Sequence, residues 1–243
     1  VSASENDSIW QVAKKQGNTL PHLCYSDKTG YRADGNCRAC MVSIEGERVL
    51  AASCIRKPTQ GMKVSTVDER SKKSREMVLE LLVTDQPKKD DSHDPNSHFW
   101  SMANKVNVEE SRFDKKSKSQ VPVADISNKA MSVNLDSCIH CNLCVRACRE
   151  VQVNDVIGMG MRGHSSKVIF DFDDPMGEST CVSCGECVQA CPTGALMESS
   201  LLDEYGKHKG EPDREVDSLC PYCGVGCQLT FKIKDEKIVS AIG

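Results

Sequence analysis

The chain has 243 residues, of which 39% are hydrophobic and 5% aromatic, and its 31 basic and 35 acidic residues give a formal net charge of −4. This length allows two or three small domains, and the apolar content is thin for a single large core. The near balance of charges argues against nucleic acid as a partner. No signal peptide, twin-arginine leader or apolar run of membrane-spanning length is evident, so direct membrane insertion is not expected.

Cysteine is the unusual component, since the chain has 15 of them and most lie two or three residues from the next. Cysteines spaced this closely cannot join distant segments as disulfides, but they suit a shared metal centre. Metal ligation also supplies stability that a thin core lacks. Because thiolates stay free in a reducing compartment, the sequence predicts a cytoplasmic metal-binding protein.

Both ends of the sequence have features of a longer polypeptide. Val1–Ala3 is predicted to end a strand whose pairing partner would precede it, and no Met begins the chain. A short helix follows, capped by Asp7 or Ser8 and stopped at Gly17. The chain finishes at Gly243, soon after a cysteine group that is one ligand short. We therefore expect the sequence to be a fragment of, or a partner to, a longer chain.

The first cysteine group has the pattern C-x12-C-x2-C-x13-C, and it supplies the four thiolates that a 2Fe–2S cluster needs. Gly30 and Gly35 allow the intervening loop to wrap a cluster with its amide groups facing the sulfurs. A half-buried strand is predicted over Met41–Ile44, followed by a turn into a second strand at Arg48–Leu50. Zinc is the alternative metal. The predicted ligands are Cys24, Cys37, Cys40 and Cys54.

The residues around these cysteines resemble a known family. The segments Pro21–Tyr25 and Gly35–Val42 are similar to the β-grasp 2Fe–2S domain at the front of complex I's large subunit, iron-only hydrogenases and NAD-linked formate dehydrogenases. In that family two strands precede the first helix, so the resemblance implies that a first strand is absent here. Four cysteines already suffice as ligands, so His22 is interpreted as a residue that packs beside the cluster.

A helix is predicted after this domain. Thr66 and Glu69 have the spacing of a capping box, in which the two side chains bond each other's backbone amides at a helix N-terminus. Apolar residues then recur at helical spacing and predict one buried face. This face comprises Met77, Val78, Leu81 and Leu82.

The polar stretch that follows this helix departs from the pattern of the related families. Those families often carry a further 4Fe–4S cluster here, with one His and three Cys as ligands. This chain has His93 and His98 but no cysteine between Cys54 and Cys138. We therefore expect no metal in this stretch, and both histidines are expected to be solvated. The basic residues of 115–118 are likewise interpreted as a solvated face.

Two further cysteine groups repeat one motif. Each has the pattern C-x2-C-x2-C-x3-C of bacterial ferredoxins, and both end in C-V-x-A-C. Three closely spaced thiolates can hold one face of a 4Fe–4S cubane, while the fourth points away along a short helix and serves the neighbouring cluster. A zinc-binding repeat is the alternative. One cluster is predicted at Cys138, Cys141, Cys144 and Cys191. The other is predicted at Cys181, Cys184, Cys187 and Cys148.

The segment between these two motifs is longer than in a minimal ferredoxin. Strands are predicted over Val156–Met161 and Lys167–Phe172, with a turn at Gly163–Ser166. This hairpin insert is similar to the one in hydrogenases and formate dehydrogenases. His140 lies inside a cluster loop and is interpreted as an exposed loop residue, with a hydrogen-bonding role that tunes the cluster potential as the alternative.

The fourth group has the sequence C-P-Y-C-G-V-G-C, and its three cysteines are predicted ligands of a third 4Fe–4S cluster. A hairpin of Leu229–Lys234 and Lys237–Ile242 follows. The group closely resembles the N-terminal cluster motif of molybdenum or tungsten bis-pterin oxidoreductases. In that family the fourth cysteine, the catalytic residues and the pterin-binding loops come later in the chain, so no catalytic residue is predicted here. The three ligands are Cys220, Cys223 and Cys227.

Together these parts predict an α+β chain of four segments. A β-grasp 2Fe–2S domain with its trailing helix takes residues 1–84, a linker 85–129, a double 4Fe–4S ferredoxin domain 130–205, and the start of a bis-pterin oxidoreductase 4Fe–4S domain 206–243. This order resembles the large subunit of cytoplasmic formate dehydrogenases. Iron-only hydrogenases share only the first two parts, and complex I does not usually have the double ferredoxin unit.

The resemblance implies an electron-transfer function. Formate would give up two electrons at a molybdenum or tungsten bis-pterin site outside this chain. They would pass singly through the third 4Fe–4S cluster, the two ferredoxin clusters and the 2Fe–2S cluster to a flavin subunit that reduces NAD, or to another acceptor subunit. The alternatives are a separate polyferredoxin-type subunit and the same region of another bis-pterin enzyme, such as a nitrate reductase.

Overall fold

A computed structural model describes residues 1–114 and 121–242, so the basic patch predicted at 115–118 lies outside the described residues. The helices are α1 (Ile9–Lys15), α2 (Glu69–Thr84), α3 (His98–Lys105), α4 (Leu143–Arg146), which continues as a π-helical turn over Ala147–Val151, and α5 (Glu186–Ala190). The strands are β1 (Met41–Ile44), β2 (Ala51–Ala52), β3 (Val64–Ser65), β4 (Met131–Val133), β5 (Ile157–Gly160), β6 (Lys167–Phe170), β7 (Leu196–Glu198), β8 (Arg214–Leu219), β9 (Gln228–Lys234) and β10 (Lys237–Ile242).

These strands form small antiparallel sheets in place of one continuous sheet. Two sheets have three strands, in the orders β2-β1-β3 and β10-β9-β8, and the pairs β4-β7 and β5-β6 form two more. Short sheets and short helices bury little apolar surface of their own. Their cores are therefore completed by the cysteine-bearing loops that the sheets support. No helix of the described residues is long and apolar enough to cross a membrane.

Helix α1 begins as the sequence predicts. The Ser8 hydroxyl accepts the Gln11 amide, and the Gln11 side chain accepts the Ser8 amide at 2.8 Å, so this helix has a full capping box. Gly17 follows the helix with a φ of 78°. Trp10, in the first turn of this helix, is buried, and its indole donates to the Leu20 carbonyl at 3.1 Å. These contacts attach α1 to the loop that leads into the first cysteine group.

Two predicted strands in this domain are wrong. Val1–Ala3 has no strand partner among the described residues, and this segment leads into a turn in which the Asp7 amide donates to the Ser4 carbonyl. Arg48–Leu50 forms a bend, and the paired strand begins only at Ala51. A strand needs a neighbour to satisfy its backbone, and sequence alternation alone does not supply one.

The predicted cap of α2 is also wrong. The helix begins at Glu69, and the Asp68 carboxylate accepts the Ser71 amide at 3.0 Å. The Thr66 hydroxyl instead accepts the side-chain amide of Asn18 at 2.8 Å. Hydrogen bonds from Ser71, and further ones from Ser43, lower the pKa of Asp68 from its usual 3.8 to about 2. The carboxylate therefore stabilises the helix as an anion.

The buried face of α2 differs from the predicted apolar face. Met77 and Leu81 are 39% and 51% exposed, while the helix buries Ser71, Arg75, Leu79 and Val83. Arg75 is buried because its guanidinium donates to the carbonyls of Met41 at 2.8 Å and Thr66 at 2.7 Å. These bonds supply partners that offset the desolvation of the charge. A polar residue therefore anchors the helix to the first sheet.

The segment assigned to a linker contains the helix α3, which packs against α2. Phe99, Trp100 and Ala103 are buried in one cluster with Leu79 and Val83. The Phe99 amide donates to the Pro192 carbonyl at 2.7 Å, so α3 also contacts the second ferredoxin motif. This helix thus lies between the first domain and the cysteine-rich domain that follows.

The ferredoxin region is closed by pairing of its two ends. Strand β4 pairs with β7, and this pairing was not predicted. The predicted hairpin between the motifs is confirmed as β5 and β6. The predicted C-terminal hairpin is confirmed as β9 and β10, with Asp235 and Glu236 in the left-handed region at its turn (φ 50° and 57°). A further strand, β8, joins this hairpin.

We predict that Asp68→Ala loosens the first turn of α2. Loss of an N-cap costs about 1 kcal/mol, which corresponds to roughly a fivefold faster exchange of the amides at that turn. Because the folded pKa of Asp68 is lowered, the stabilisation is present above its usual 3.8 and is lost as the pH falls through about 2. Hydrogen–deuterium exchange of the folded chain measures the effect. Thr66→Ala is the matched control and should leave the exchange of the α2 amides unchanged. Faster exchange in Thr66→Ala but not in Asp68→Ala would contradict this and support the Thr66–Glu69 capping box.

Candidate iron–sulfur centres

The first four cysteines come together at the edge of the small N-terminal sheet. The amide of Cys24 donates to the Cys37 sulfur, and the amide of Cys37 donates to the Cys24 sulfur, both at 3.4 Å. Cys40 directly precedes β1, and Cys54 follows β2, so the strand pair brings these two thiols together. Cys24, Cys40 and Cys54 are buried, and Cys37 is partly exposed. The structure therefore places all four predicted ligands at one site.

Contacts among these thiols shift their pKa values in opposite directions. Hydrogen bonds from Cys37 and Cys54 lower the pKa of Cys24, and contact with Cys54 lowers the pKa of Cys40 to about 7. Contact with Cys24 raises the pKa of both Cys37 and Cys54. The four thiols therefore lie within hydrogen-bonding contact of one another, and metal binding would require all four as thiolates.

A second site lies between the two ferredoxin motifs. A cavity of about 370 Å³, including its open mouth, is lined by three cysteines of the first motif and the last cysteine of the second. Burial raises the pKa of Cys141, and the nearby Cys191 and Cys138 raise it further. Four ionised sulfurs at one buried point would need compensating positive charge. The cysteines at this cavity are Cys138, Cys141, Cys144 and Cys191.

The third site repeats this arrangement with the motifs exchanged. A cavity of about 290 Å³ is lined by three cysteines of the second motif and by Cys148, the last cysteine of the first. Burial, together with Cys181, Cys184 and Cys148, raises the pKa of Cys187 to about 12. The Val156 amide donates to the Cys148 sulfur at 3.3 Å. The cysteines at this cavity are Cys148, Cys181, Cys184 and Cys187.

The two motif loops share one backbone conformation. His140 and Ser183, at equivalent positions, have φ values of 53° and 55°, and their amides donate to the Cys138 and Cys181 sulfurs at 3.4 Å. A non-glycine residue in the left-handed region is unusual and marks a constrained loop. His140 is exposed, and its backbone amide faces the Cys138 sulfur. Amide donors of this kind tune cluster potentials.

The last cysteine group lies on the loop that joins β8 and β9. The Cys220 amide donates to the Cys227 carbonyl at 2.8 Å and closes this loop, and Gly224 and Gly226 adopt φ values of 75° and 78°. Cys223 and Cys227 are exposed, and Cys220 is partly exposed. The three predicted ligands thus lie on one loop, which is more exposed to solvent than the other sites.

The donor set fits clusters better than single ions. All fifteen cysteines are among the described residues and each is a free thiol. In residues 1–114 and 121–242, no three His, Cys, Asp or Glu side chains are arranged around one ion. A zinc site needs four ligands within about 2.3 Å of the metal, whereas a cluster separates its thiolates by the size of its own core. Sulfur ligands with amides directed at them suit iron–sulfur clusters.

Three histidines, His22, His93 and His98, are buried or half-buried, which corrects the expectation that His93 and His98 are solvated. His98 contacts the His22 carbonyl through Nε2 at 2.8 Å, and the two rings lie 4.6 Å apart. His93 contacts the Gly194 carbonyl through Nδ1 at 3.3 Å. Burial lowers the pKa of each, that of His22 to about 4. They therefore pack as neutral rings, and His22 has the packing role predicted for it.

Sequence reasoning missed one charged residue at the sites. Arg146 lies between Cys144 and Cys148 of the first motif and is only 2% exposed. Its guanidinium bonds the carbonyls of both Cys24 and Cys141. The one signal in the sequence is a difference between the repeats, because the second motif has Gln189 at this position.

Three family models match the chain in order. A 2Fe-2S iron-sulfur cluster binding domain matches residues 1–69, a 4Fe-4S dicluster domain 137–195, and a molybdopterin oxidoreductase Fe4S4 domain 213–243. The predicted α+β fold with these three domain types is therefore confirmed. The three matches are those of an iron–sulfur region, and the last of them is of the molybdopterin-oxidoreductase type.

Several curated relatives share this region. The chain is 32% identical to the NADP-reducing hydrogenase subunit HndD of Solidesulfovibrio fructosivorans (88% of this chain, 37% of that protein) and 31% identical to an NADH-quinone oxidoreductase subunit of Rhizobium meliloti (92% and 25%). It is 27% identical to a predicted formate dehydrogenase of Staphylococcus haemolyticus (96% and 27%). The chain thus spans between a quarter and two fifths of these relatives.

A solved structure shares the fold. The crystal structure of an NAD+-reducing [NiFe]-hydrogenase in the H2-reduced state matches with a TM-score of 0.73 and 23% identity, over 82% of this chain and 83% of that chain. This match extends over most of the present chain and shows that the two chains share a fold.

We predict that Cys148→Ser damages the cluster at Cys181, Cys184 and Cys187 and spares the one in its own motif. The cavity lining places the Cys148 sulfur at the neighbouring site. Cys191→Ser is the mirror-image control and should damage the cluster at the first motif. Iron analysis and EPR of the reduced protein should show loss of one cubane in each variant, with a different signal lost each time. Loss of the same signal in both variants would contradict the exchanged assignment.

We also predict that His93 and His98 bind no metal. His93→Gln and His98→Gln should keep the iron content and every EPR signal of the parent chain, because each ring already bonds a backbone carbonyl. Each replacement should lower stability by roughly 1 kcal/mol through imperfect replacement of that bond. Cys141→Ser, which should lose iron, is the positive control. A signal lost in either histidine variant would identify a cluster ligand.

Proposed function

We propose that the chain is the electron-transfer region of a formate dehydrogenase, passing electrons between a molybdenum or tungsten bis-pterin site and an external acceptor. The observation that carries this proposal is the position of the C-P-Y-C-G-V-G-C loop, which follows the double ferredoxin unit and matches the molybdopterin oxidoreductase Fe4S4 domain. Iron-only hydrogenases share the first two parts but not the third, whereas the three parts together resemble the large subunit of cytoplasmic formate dehydrogenases.

The cysteines supply sites for one 2Fe–2S and two 4Fe–4S clusters. The N-terminal set of Cys24, Cys37, Cys40 and Cys54 holds the first, and the two exchanged sets at the cavities hold the others. Iron–sulfur clusters accept and release single electrons, with potentials set by hydrogen bonds and exposure. The protein's part is to fix the ligands, aim amides at their sulfurs and exclude water.

The loop of Cys220, Cys223 and Cys227 holds a third 4Fe–4S cluster whose fourth ligand comes from another part of the polypeptide. Tyr222 and Val225 on this loop are 88% and 77% exposed. Large apolar residues grouped at an exposed loop are typical of a surface that another protein segment covers. That covering segment is the remainder of the catalytic subunit, and its bis-pterin site supplies the electrons.

The acceptor at the other end is a flavin- and NAD-binding subunit, in a cytoplasmic complex. Relatives of this chain are named as an NADP-reducing hydrogenase subunit and an NADH-quinone oxidoreductase subunit, and both names include a nicotinamide nucleotide. Free thiols at all fifteen cysteines suit a reducing compartment. A different acceptor subunit would use the same iron–sulfur region.

A second candidate is the same region of another oxidoreductase. The hydrogenase subunit is 32% identical to this chain, slightly more than the predicted formate dehydrogenase at 27%. A nitrate reductase or a separate polyferredoxin-type subunit would use the same cysteines. Each of these alternatives differs in the donor or acceptor that exchanges electrons with the clusters.

We predict that formate reduces the clusters of the complete oxidoreductase under anaerobic conditions, with EPR signals of the reduced 2Fe–2S site appearing within the turnover time. Cys220→Ser should prevent reduction by formate and leave reduction by dithionite intact. Reduction by hydrogen or NADH but not by formate would contradict the assignment and favour the hydrogenase or quinone-linked type. Rapid reoxidation of dithionite-reduced clusters by nitrate would favour nitrate reductase.

A further inference from the structure

One buried cation joins the first two candidate centres. The Arg146 guanidinium donates to the Cys24 carbonyl at 2.7 Å and to the Cys141 carbonyl at 3.2 Å. It also donates to the Arg32 carbonyl, and its Nε lies 3.1 Å from the Asp34 carboxylate. Cys24 belongs to the 2Fe–2S set and Cys141 to the first 4Fe–4S set. A single side chain thus touches the ligand backbone of both centres.

Other contacts show that the two ligand loops meet at this point. Cys24, Cys141 and Leu143 form one buried cluster. The side-chain amide of Asn36 donates to the Cys141 carbonyl at 3.4 Å. Further from the centres, the Tyr31 hydroxyl donates to Glu186 of helix α5 at 2.8 Å. The junction is therefore packed and hydrogen-bonded throughout, and Arg146 lies inside it.

The second ferredoxin motif provides an internal comparison. Gln189 occupies the position equivalent to Arg146, and it is exposed. The motif chemistry of cluster binding therefore does not require an arginine there, since the second site has the same cysteine pattern without it. The first motif differs from the second because it lies against the loop of the predicted 2Fe–2S site. We therefore associate the arginine with the contact between these two loops and not with the ferredoxin motif itself.

We propose that Arg146 is a positioning residue that holds the 2Fe–2S and first 4Fe–4S centres together and raises the reduction potential of both. This inference rests on the proposed cluster assignment. A reduced cluster carries one more negative charge than an oxidised one, so a fixed cation at short range favours reduction. Burial strengthens the effect because little water screens the charge.

The charges that face Arg146 determine in which direction each substitution should shift the reduction potentials. Asp34 is its direct partner, and Asp34 is also paired with Arg32 at 2.7 Å. Arg32 in turn pairs with Glu150 at 2.7 Å, and Glu186 lies beyond Tyr31. Loss of the Arg146 charge makes the junction one unit more negative, and loss of the Asp34 charge makes it one unit more positive. The two changes must shift the potentials in opposite directions.

The electron step at this junction needs no other reactant. If both clusters are bound, one electron would pass from the 4Fe–4S centre to the 2Fe–2S centre, so the first would be oxidised and the second reduced by one unit. No bond forms or breaks, and no proton moves. Arg146 contributes by fixing the approach of the two ligand loops and by lowering the energy of the electron at either centre.

EPR-monitored redox titration of the cluster-loaded chain tests the proposal. Arg146→Gln, which introduces the residue of the second motif, should lower the reduced-to-oxidised ratio of both centres about tenfold at a fixed ambient potential, a shift of about 59 mV for a one-electron couple. Asp34→Asn should shift both potentials upward. Arg149→Gln is the matched control, because Arg149 is an exposed arginine on the same helical segment that pairs with Asp155 outside the junction.

Arg146→Lys separates charge from position. It keeps the cation and loses the planar set of donors, so it should retain the parent potentials and weaken the magnetic interaction between the two reduced centres. Unchanged potentials in Arg146→Gln and Asp34→Asn, with full iron content, would overturn the inference and leave the proposed function standing. Absence of 2Fe–2S and 4Fe–4S signals in the parent chain would overturn the proposed function itself. If Arg146→Gln does not retain iron, the upward shift in Asp34→Asn decides the question.

Discussion

The structure depends on bringing several thiolates together in the interior of a small protein. Burial and mutual repulsion both oppose ionised sulfur, and they raise the pKa of Cys141, Cys144 and Cys187. Iron removes this opposition because its positive charge compensates the thiolates at the point where they meet. The apolar cores reflect the same constraint, since ligand cysteines are members of the buried clusters around which the sheets pack. Cluster binding at these cysteines would therefore be coupled to folding.

The constraint also explains which parts of the structure could be predicted from the sequence. Cysteine ligands lie close together in the chain, and their spacing defines the loops, so the grouping of cysteines at each site follows from local sequence. Helix α1 and the hairpins β5-β6 and β9-β10 were predicted for the same reason, because their caps and turns are local. The exchange of Cys148 and Cys191 between cavities is a longer contact, but it repeats a known motif.

The features that were missed involve contacts between distant segments. Arg75 lies on the buried face of α2 because its guanidinium donates to two backbone carbonyls, one on strand β1 and one just after β3. The spacing of apolar residues in the sequence does not indicate such partners. His93 and His98 are in a polar stretch, yet they are buried against Gly194 and His22. Arg146 is separated from Cys24 by 122 residues. In each case a polar side chain is buried because a distant carbonyl accepts its hydrogen bond, and composition alone predicts the opposite.

The duplicated motif shows how two similar centres become different. Their loops have the same cysteine spacing, a left-handed residue at the same position and a backbone amide at that position directed at the first sulfur. Centres with identical surroundings would have equal potentials, and electrons would have no preferred direction between them. The surroundings are unequal, because Cys141 is buried and its carbonyl accepts from Arg146, whereas Cys184 is exposed and its motif has an exposed, neutral Gln189 at the equivalent position. Neighbouring charge and exposure, which control cluster potential, thus differ where the ligands do not. A difference in potential between the two centres would therefore come from the residues between the cysteines, which differ between the two motifs.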